Sequence, residues 1–165
     1  MQERPVDTTP TSVWEHALDI IAIAIPLAGL VLAFVRYPEL PEEIPTHFNA
    51  KGAADGYGAS WNIFLLPAIS LVMSAGMAVL ARYPHQFNYM STITAENAPF
   101  EYKRARVMIR VLNVMTGILL LSAVWSMLKG TDGAAKLSPW FGVSFIGTIL
   151  TPVLILIFWK QDKHK

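Results

Sequence analysis

Four polar residues that could form a binding or metal site lie in one short segment: Glu43, His47, Asn49 and Asp55. An imidazole and a carboxylate can bond to each other, contact a ligand, or bind a divalent metal ion. One histidine with loop carboxylates at no fixed spacing is a weak metal pattern. Three hypotheses therefore remain for His47 and Asp55: a structural hydrogen bond, contact with a partner or ligand, and a metal site.

Three prolines predict that the backbone before this site is ordered. Pro38, Pro41 and Pro45 fix φ and restrict the preceding residue, which favours an extended path. An extended path loses less conformational entropy when it becomes ordered than a flexible linker does. We therefore expect an ordered loop in contact with the bilayer surface.

Turn signals follow the prolines and predict a reversal of the chain. Asn49 and Gly52 occupy the first and fourth positions preferred in a type I turn, and Asp55-Gly56 is a second turn signal. A reversal at Asn49 would bring His47 and Asp55 together. We expect the two side chains to form a hydrogen-bonded clasp, whose loss in His47→Ala costs about 1 kcal/mol or somewhat more without dependence on metal.

The elements that must position this segment are four long runs without Asp, Glu, Lys or Arg. The runs are Ile20–Val35, Gly56–Ala81, Val111–Leu128 and Leu137–Trp159. A bilayer core of about 30 Å needs about 20 helical residues, and tryptophans and tyrosines flank the runs as they do at membrane interfaces. The sequence therefore predicts an all-α integral membrane bundle of four transmembrane helices, with an ordered extracytoplasmic loop between helices 1 and 2.

The predicted helices cover residues 18–36, 60–82, 98–128 and 138–159 of one membrane domain that spans residues 1–165. Small residues at four-residue spacing, such as Ser70/Ser74 and Ser122/Ser126, favour close contacts between helices. The third helix is predicted to begin early, with Pro99 in its first turn and a Glu101–Arg104 pair.

Lysine and arginine are distributed unequally between the two ends of the predicted bundle. Nine lie at the end that holds the termini and the central loop: Arg4, Arg82, Lys103, Arg104, Arg106, Arg110, Lys160, Lys163 and Lys165. Four lie at the opposite end: Arg36, Lys51, Lys129 and Lys136. Because cytoplasmic segments collect positive charge, we predict a multi-pass protein of the bacterial cytoplasmic (inner) membrane with both termini cytoplasmic. We expect Lys103, Arg104, Arg106 and Arg110 to lie among anionic lipid headgroups.

Composition narrows the range of functions. Charged residues make up 15% of the chain and the formal net charge is +1, so we expect no nucleic-acid partner. The absence of cysteine excludes disulfides, thiolate catalysis and cysteine-based metal centres. No glycine-rich phosphate loop, HExxH or GxSxG motif is present, so we expect no cofactor and no enzymatic activity.

The segment Leu40-Pro41-Glu-Glu-Ile44-Pro45-Thr-His47, followed by Gly52 and Asp55, resembles a bacterial membrane domain of unknown function. That domain carries an LPxxIPxH motif and also forms the N-terminal part of SdpI-type immunity proteins, which protect cells from a secreted peptide toxin. The resemblance implies a membrane protein whose outward loop contacts a partner, with immunity against a peptide toxin as the concrete form of this function. SdpI-like proteins have further helices, and members of the domain usually carry a lysine where this chain has Ser60.

Three functions follow from these observations. The first is a non-enzymatic membrane protein whose loop contacts a peptide or a membrane-protein partner through Glu43, His47, Asn49 and Asp55, with toxin immunity as its concrete form. The second is a subunit or assembly factor of a membrane complex. The third is a metal-dependent membrane enzyme that uses His47 and Asp55.

Overall fold

A computed structural model describes residues 4–132 and 135–159, of which four helices and a two-stranded sheet form the frame. The helices are α1 (Val13–Arg36), α2 (Leu65–Leu80), α3 (Ala98–Lys129) and α4 (Pro139–Phe158). The strands are β1 (Glu43–Phe48) and β2 (Ala54–Ala59). Three of the basic residues used to predict orientation, Lys160, Lys163 and Lys165, lie outside the described residues.

All four helices are long and apolar enough to cross a membrane. The chain is therefore a mostly helical, multi-pass membrane protein, and 69% of the residues that the structure describes are helical. At 32 residues, α3 is the longest helix, and the other three pack against it. It lies at the centre of the bundle, while α4 packs on α3 at the outside.

The N-terminal ends of two helices have specific caps. Ser12 and Glu15 form a reciprocal capping box that starts α1 at Val13, five residues before the predicted start. Ser138 caps α4, with Pro139 in the first turn, where its missing N–H and fixed φ suit the start of a helix. In the first turns of α3, Pro99 and the Glu101–Arg104 ion pair are also found where they were predicted.

Small polar residues face neighbouring helices, as their four-residue spacing predicts. Ser74 is buried on α2 and its carbonyl accepts a 3.0 Å hydrogen bond from the Asn113 side chain of α3. Ser122 of α3 lies 3.4 Å from the Ser144 hydroxyl of α4. Small side chains let these backbones approach closely, which is how helices associate where lipid surrounds them.

The segment between α1 and α2 is folded. β1 and β2 pair antiparallel into a hairpin that leads through a short 3-10 turn, Ser60–Phe64, into α2. One prediction for this segment is wrong in detail: Pro38 lies in a 3-10 turn, Tyr37–Glu39, rather than on an extended path. A proline at the second position of such a turn has the φ value the turn needs.

The bundle has two ends that carry different connecting segments. The hairpin end holds the β1–β2 hairpin and the connection between α3 and α4. The terminal end holds residues 4–12, the connection between α2 and α3, and Trp159.

Candidate functional site

The hairpin is docked on the bundle through two adjacent buried residues, Ile44 and Pro45. Ile44 of β1 has no exposed surface and packs in a cluster with Ala33 of α1, Ile63, and Val124 and Met127 of α3. The cluster therefore joins the hairpin to residues from α1, α3 and the turn before α2. Because burial of an isoleucine side chain stabilises by about 1.5–3 kcal/mol, Ile44 is the main anchor of the hairpin.

The end of α3 fits closely against the residue after this anchor. A Cβ atom placed on Gly130 would lie 2.6 Å from Cγ of Pro45 and 2.8 Å from Cβ of Ala135. Both distances are shorter than van der Waals contact, so no side chain fits at position 130. Gly130 therefore lets the α3 terminus approach the hairpin.

The connection between α3 and α4 adds a second attachment. The Ala54 N–H donates to the carbonyl of Ala135 at 3.0 Å, and the Leu137 N–H donates to the carbonyl of Gly52 at 2.7 Å. This pairing covers part of the outer edge of β2. Backbone hydrogen bonds thus fix the hairpin tip to the helices, in addition to the apolar contact of Ile44.

Asn49 forms the turn between the strands, as predicted. Its carbonyl accepts from the Gly52 N–H at 2.8 Å, and its side-chain oxygen accepts from the N–H groups of Lys51 at 2.9 Å and Ala53 at 3.2 Å. Gly52 has φ of +74°, a conformation that glycine adopts without strain. The geometry of Asn49 is that of a turn-forming residue.

His47 and Asp55 are in contact, as the predicted reversal requires. Nδ1 of His47 lies 2.5 Å from Oδ1 of Asp55. The side chains are 72% and 43% exposed, so the pair lies on the surface of the hairpin. An exposed pair of this kind stabilises a fold by about 1 kcal/mol or less.

The second turn predicted at Asp55-Gly56 is wrong, because both residues lie inside β2. The strands are irregular here, with register shifts on both sides of His47. A Cβ atom on Gly56 would lie only 2.9 Å from Cβ of His47. Glycine at this position makes room for the imidazole rather than for a turn.

Glu43 does not join the clasp. It is exposed at the start of β1 opposite Ala59, whereas His47 lies opposite Gly56. His47 lies four positions after Glu43 along the strand, which corresponds to about 13 Å. Within residues 4–132 and 135–159, no three His, Asp or Glu side chains are grouped so that they could hold a metal ion.

A small cleft lies beside the clasp. Its volume is about 200 Å³, and its walls come from β1, α2, α3 and the start of α4. The lining residues include His47, Phe48, Leu66, Met127, Leu137 and Phe141. The arrangement places one imidazole at the edge of an otherwise mainly apolar recess, which can accept an apolar side chain with a polar group beside it.

At the terminal end, sequence reasoning missed a buried ionic network. Glu15 of α1 lies 3.0 Å from Nε of Arg106 and 3.1 Å from Nη1 of Arg110. Arg106 also binds Asp7 at 2.7 Å, and Arg110 binds Asp19 at 3.0 Å. The network joins α1, α3 and the N-terminal segment.

This network corrects the expectation that Arg106 and Arg110 lie among lipid headgroups. Their side chains are only 6% and 3% exposed, and each contacts two carboxylates. A signal for the pairing was present, because Glu15 and Asp19 share the four-residue spacing of Arg106 and Arg110. Residues four positions apart lie on the same face of a helix. The two carboxylates of α1 can therefore meet the two arginines of α3 where these faces are in contact.

The N-terminal segment and the α2–α3 connection cover the same end of α3. Arg4 donates to the carbonyl of Phe87 at 2.7 Å, and the Tyr102 hydroxyl donates to the carbonyl of Pro5 at 2.8 Å. The Tyr89 hydroxyl donates to the carbonyl of Pro84 at 2.8 Å. Burial raises the pKa of the Tyr89 hydroxyl above its ordinary value, and the nearby Tyr102 and Glu101 add to the effect.

Comparison with known protein families finds a match that includes the hairpin. Residues 24–71 match the family described as "Domain of unknown function (DUF1648)". The matched part runs from within α1, through the hairpin, into α2. It therefore contains both members of the His47–Asp55 clasp.

An uncharacterized protein of Archaeoglobus fulgidus is 30% identical over 96 residues. The aligned part is 53% of this chain and 51% of the relative, so the chain spans about half the length of that curated relative. No solved structure matches the chain. The comparisons therefore identify a domain of unknown function, and the membrane-crossing helices are a finding of the structure.

Proposed function

We propose that this chain is a non-enzymatic membrane protein that binds a peptide through its hairpin, and that it gives immunity against a secreted peptide toxin. The observation that carries the proposal is the exposed His47–Asp55 clasp beside the apolar cleft of about 200 Å³. Peptide sites commonly combine a recess for an apolar side chain with a few placed polar groups.

The rigid attachment of the hairpin supports recognition. Ile44 is buried, and the connection between α3 and α4 is hydrogen-bonded to Gly52 and Ala54. A surface that is already ordered loses little conformational entropy when it binds, so more of the contact energy contributes to affinity. A flexible loop of the same composition would bind more weakly.

The proposed orientation places the hairpin outside the bacterial cytoplasmic membrane and both termini inside. The nine-to-four distribution of lysine and arginine supports it. A secreted toxin reaches the outer surface of the membrane first. In this orientation the clasp and the cleft face the side from which the peptide arrives.

The proposal is tested by growth of a toxin-sensitive bacterium that expresses the chain. The probe is the purified peptide toxin against which SdpI-type proteins protect. We expect wild type to restore growth, and His47→Ala and Phe48→Ala to lose protection, because one removes the imidazole and the other a wall of the cleft. Lys51→Ala is the matched control, since Lys51 is exposed at the hairpin tip and does not line the cleft.

Thermal melting of the purified variants separates binding from folding. We expect the melting temperature of His47→Ala to fall only slightly, because an exposed ion pair contributes little to stability. The melting temperature should be the same with EDTA or with zinc. Growth that is equally poor with wild type and with an empty vector would contradict the immunity proposal. A chelator that destabilises wild type alone would instead favour the metal hypothesis.

A further inference from the structure

A second cavity lies at the terminal end, far from the clasp and independent of the proposed function. Its volume is about 490 Å³, within the usual range for ligand sites. The α2–α3 connection forms one wall, and α3 and α4 form the others. The lining residues include Phe87, Tyr89, Glu101, Arg104, Met108 and Leu156.

The cavity straddles the boundary of the bilayer. The 20 residues of α4 span about 30 Å, which matches the hydrocarbon core, so Trp159 just beyond α4 marks its edge. Arg104 lies at this level, because its Nη1 donates to the carbonyl of Trp159 at 3.5 Å. Leu156 lies one turn deeper, as does Met108 on α3, so one part of the cavity faces hydrocarbon and the other faces headgroups.

A pair of opposite charges lies in the headgroup part. Nη2 of Arg104 is 2.5 Å from Oε2 of Glu101, and the two side chains are 21% and 12% exposed. The guanidinium has five N–H donors, of which the described contacts with Glu101 and Trp159 use only part. The carboxylate likewise has a second oxygen. The pair can therefore donate to an anion and accept from a cation at the same time.

We propose that this cavity binds one phospholipid with a primary-ammonium headgroup, that is, a phosphatidylethanolamine molecule. Its phosphate bonds to Arg104, its ammonium bonds to Glu101, and one acyl chain lies along Met108 and Leu156. Guanidinium–phosphate bonds are charge-assisted and strong. A purely anionic lipid finds only one partner here and is repelled by the Glu101 carboxylate, while a quaternary ammonium has no N–H to donate.

Native mass spectrometry of the full chain, released from detergent with one added lipid at a time, tests the proposal. The probes are phosphatidylethanolamine, phosphatidylcholine and phosphatidylglycerol with the same acyl chains. We expect wild type to hold one phosphatidylethanolamine about tenfold more tightly than either other lipid, since a hydrogen bond to a charged group contributes at least that factor. Glu101→Gln should remove the preference.

Two further variants make the test specific. Lys103→Gln is the matched control: Lys103 is exposed, lies one residue from Arg104, and does not line the cavity, so binding should be unchanged. Met108→Trp keeps both charges but fills the hydrocarbon part of the cavity, and should weaken binding of phosphatidylethanolamine about tenfold or more.

Melting temperatures without added lipid show whether each variant is folded. If Glu101→Gln is unfolded, Met108→Trp still decides the question because it leaves the ion pair intact. Equal affinity of wild type for all three lipids would overturn the proposal. So would a phosphatidylethanolamine preference that persists in folded Glu101→Gln, or undiminished binding to folded Met108→Trp.

Discussion

Replacement of Ile44 by alanine tests whether the hairpin is part of the folded core. The side chain has no exposed surface and contacts the cluster that includes Ala33, Ile63 and Val124. The substitution removes three carbons, each contributing about 0.8 kcal/mol when buried, and leaves a cavity beside them. With the cavity cost included, we expect the free energy of unfolding to fall by about 3 kcal/mol.

The matched control is Tyr57→Ala on the partner strand. Tyr57 is larger than Ile44 but 57% exposed, so its truncation removes more atoms and little buried surface. We expect a loss below about 1 kcal/mol. The contrast separates burial from side-chain size, because the larger truncation should have the smaller effect.

The free energy of unfolding is measured by titration with SDS in mixed micelles, for wild type and both variants. Hydrogen exchange of the β1 and β2 amides in the same micelles reports on the hairpin itself, and should accelerate in Ile44→Ala but not in Tyr57→Ala. An Ile44→Ala variant no less stable than Tyr57→Ala would refute the reasoning. The hairpin would then be an appendage of the bundle rather than part of its core.

Two other predictions concern the terminal end and the orientation. Arg110→Met should lower the free energy of unfolding by about 3 kcal/mol, because it removes one of the two arginines that contact buried Glu15 and also the arginine that binds half-buried Asp19. Lys103→Gln should change it by no more than about 0.5 kcal/mol. Equal effects in SDS titrations would contradict the network. In intact cells, an impermeant thiol reagent should label Ala50→Cys at the hairpin turn and not Thr92→Cys in the α2–α3 connection. Since the sequence contains no cysteine, either signal is specific, and the reverse pattern would overturn the orientation.

Local patterns predicted much of the candidate site. The spacing of Asn49 and Gly52 indicates a turn whatever surrounds it, and a reversal there necessarily brings His47 close to Asp55. The Asp55-Gly56 pattern predicted a turn that is not present, because glycine is favoured for two different structural reasons. It allows unusual backbone angles in turns, and it allows close approach of another residue. At Gly56 the second use applies, and only the position of His47 across the hairpin reveals it.

By itself, the sequence determined the four membrane-crossing helices and the reversal at Asn49. Both depend on local chemistry, since a run of apolar residues must match the bilayer thickness and a turn depends on a few adjacent residues. Tertiary structure alone decided which charges are buried and what the hairpin rests on. Arg106 and Arg110 pair with Glu15 and Asp19 only because α1 and α3 present these faces to each other. Ile44 becomes an anchor only because the end of α3 lies beneath it, and such contacts depend on the rotation and approach of distant helices, which no local pattern specifies.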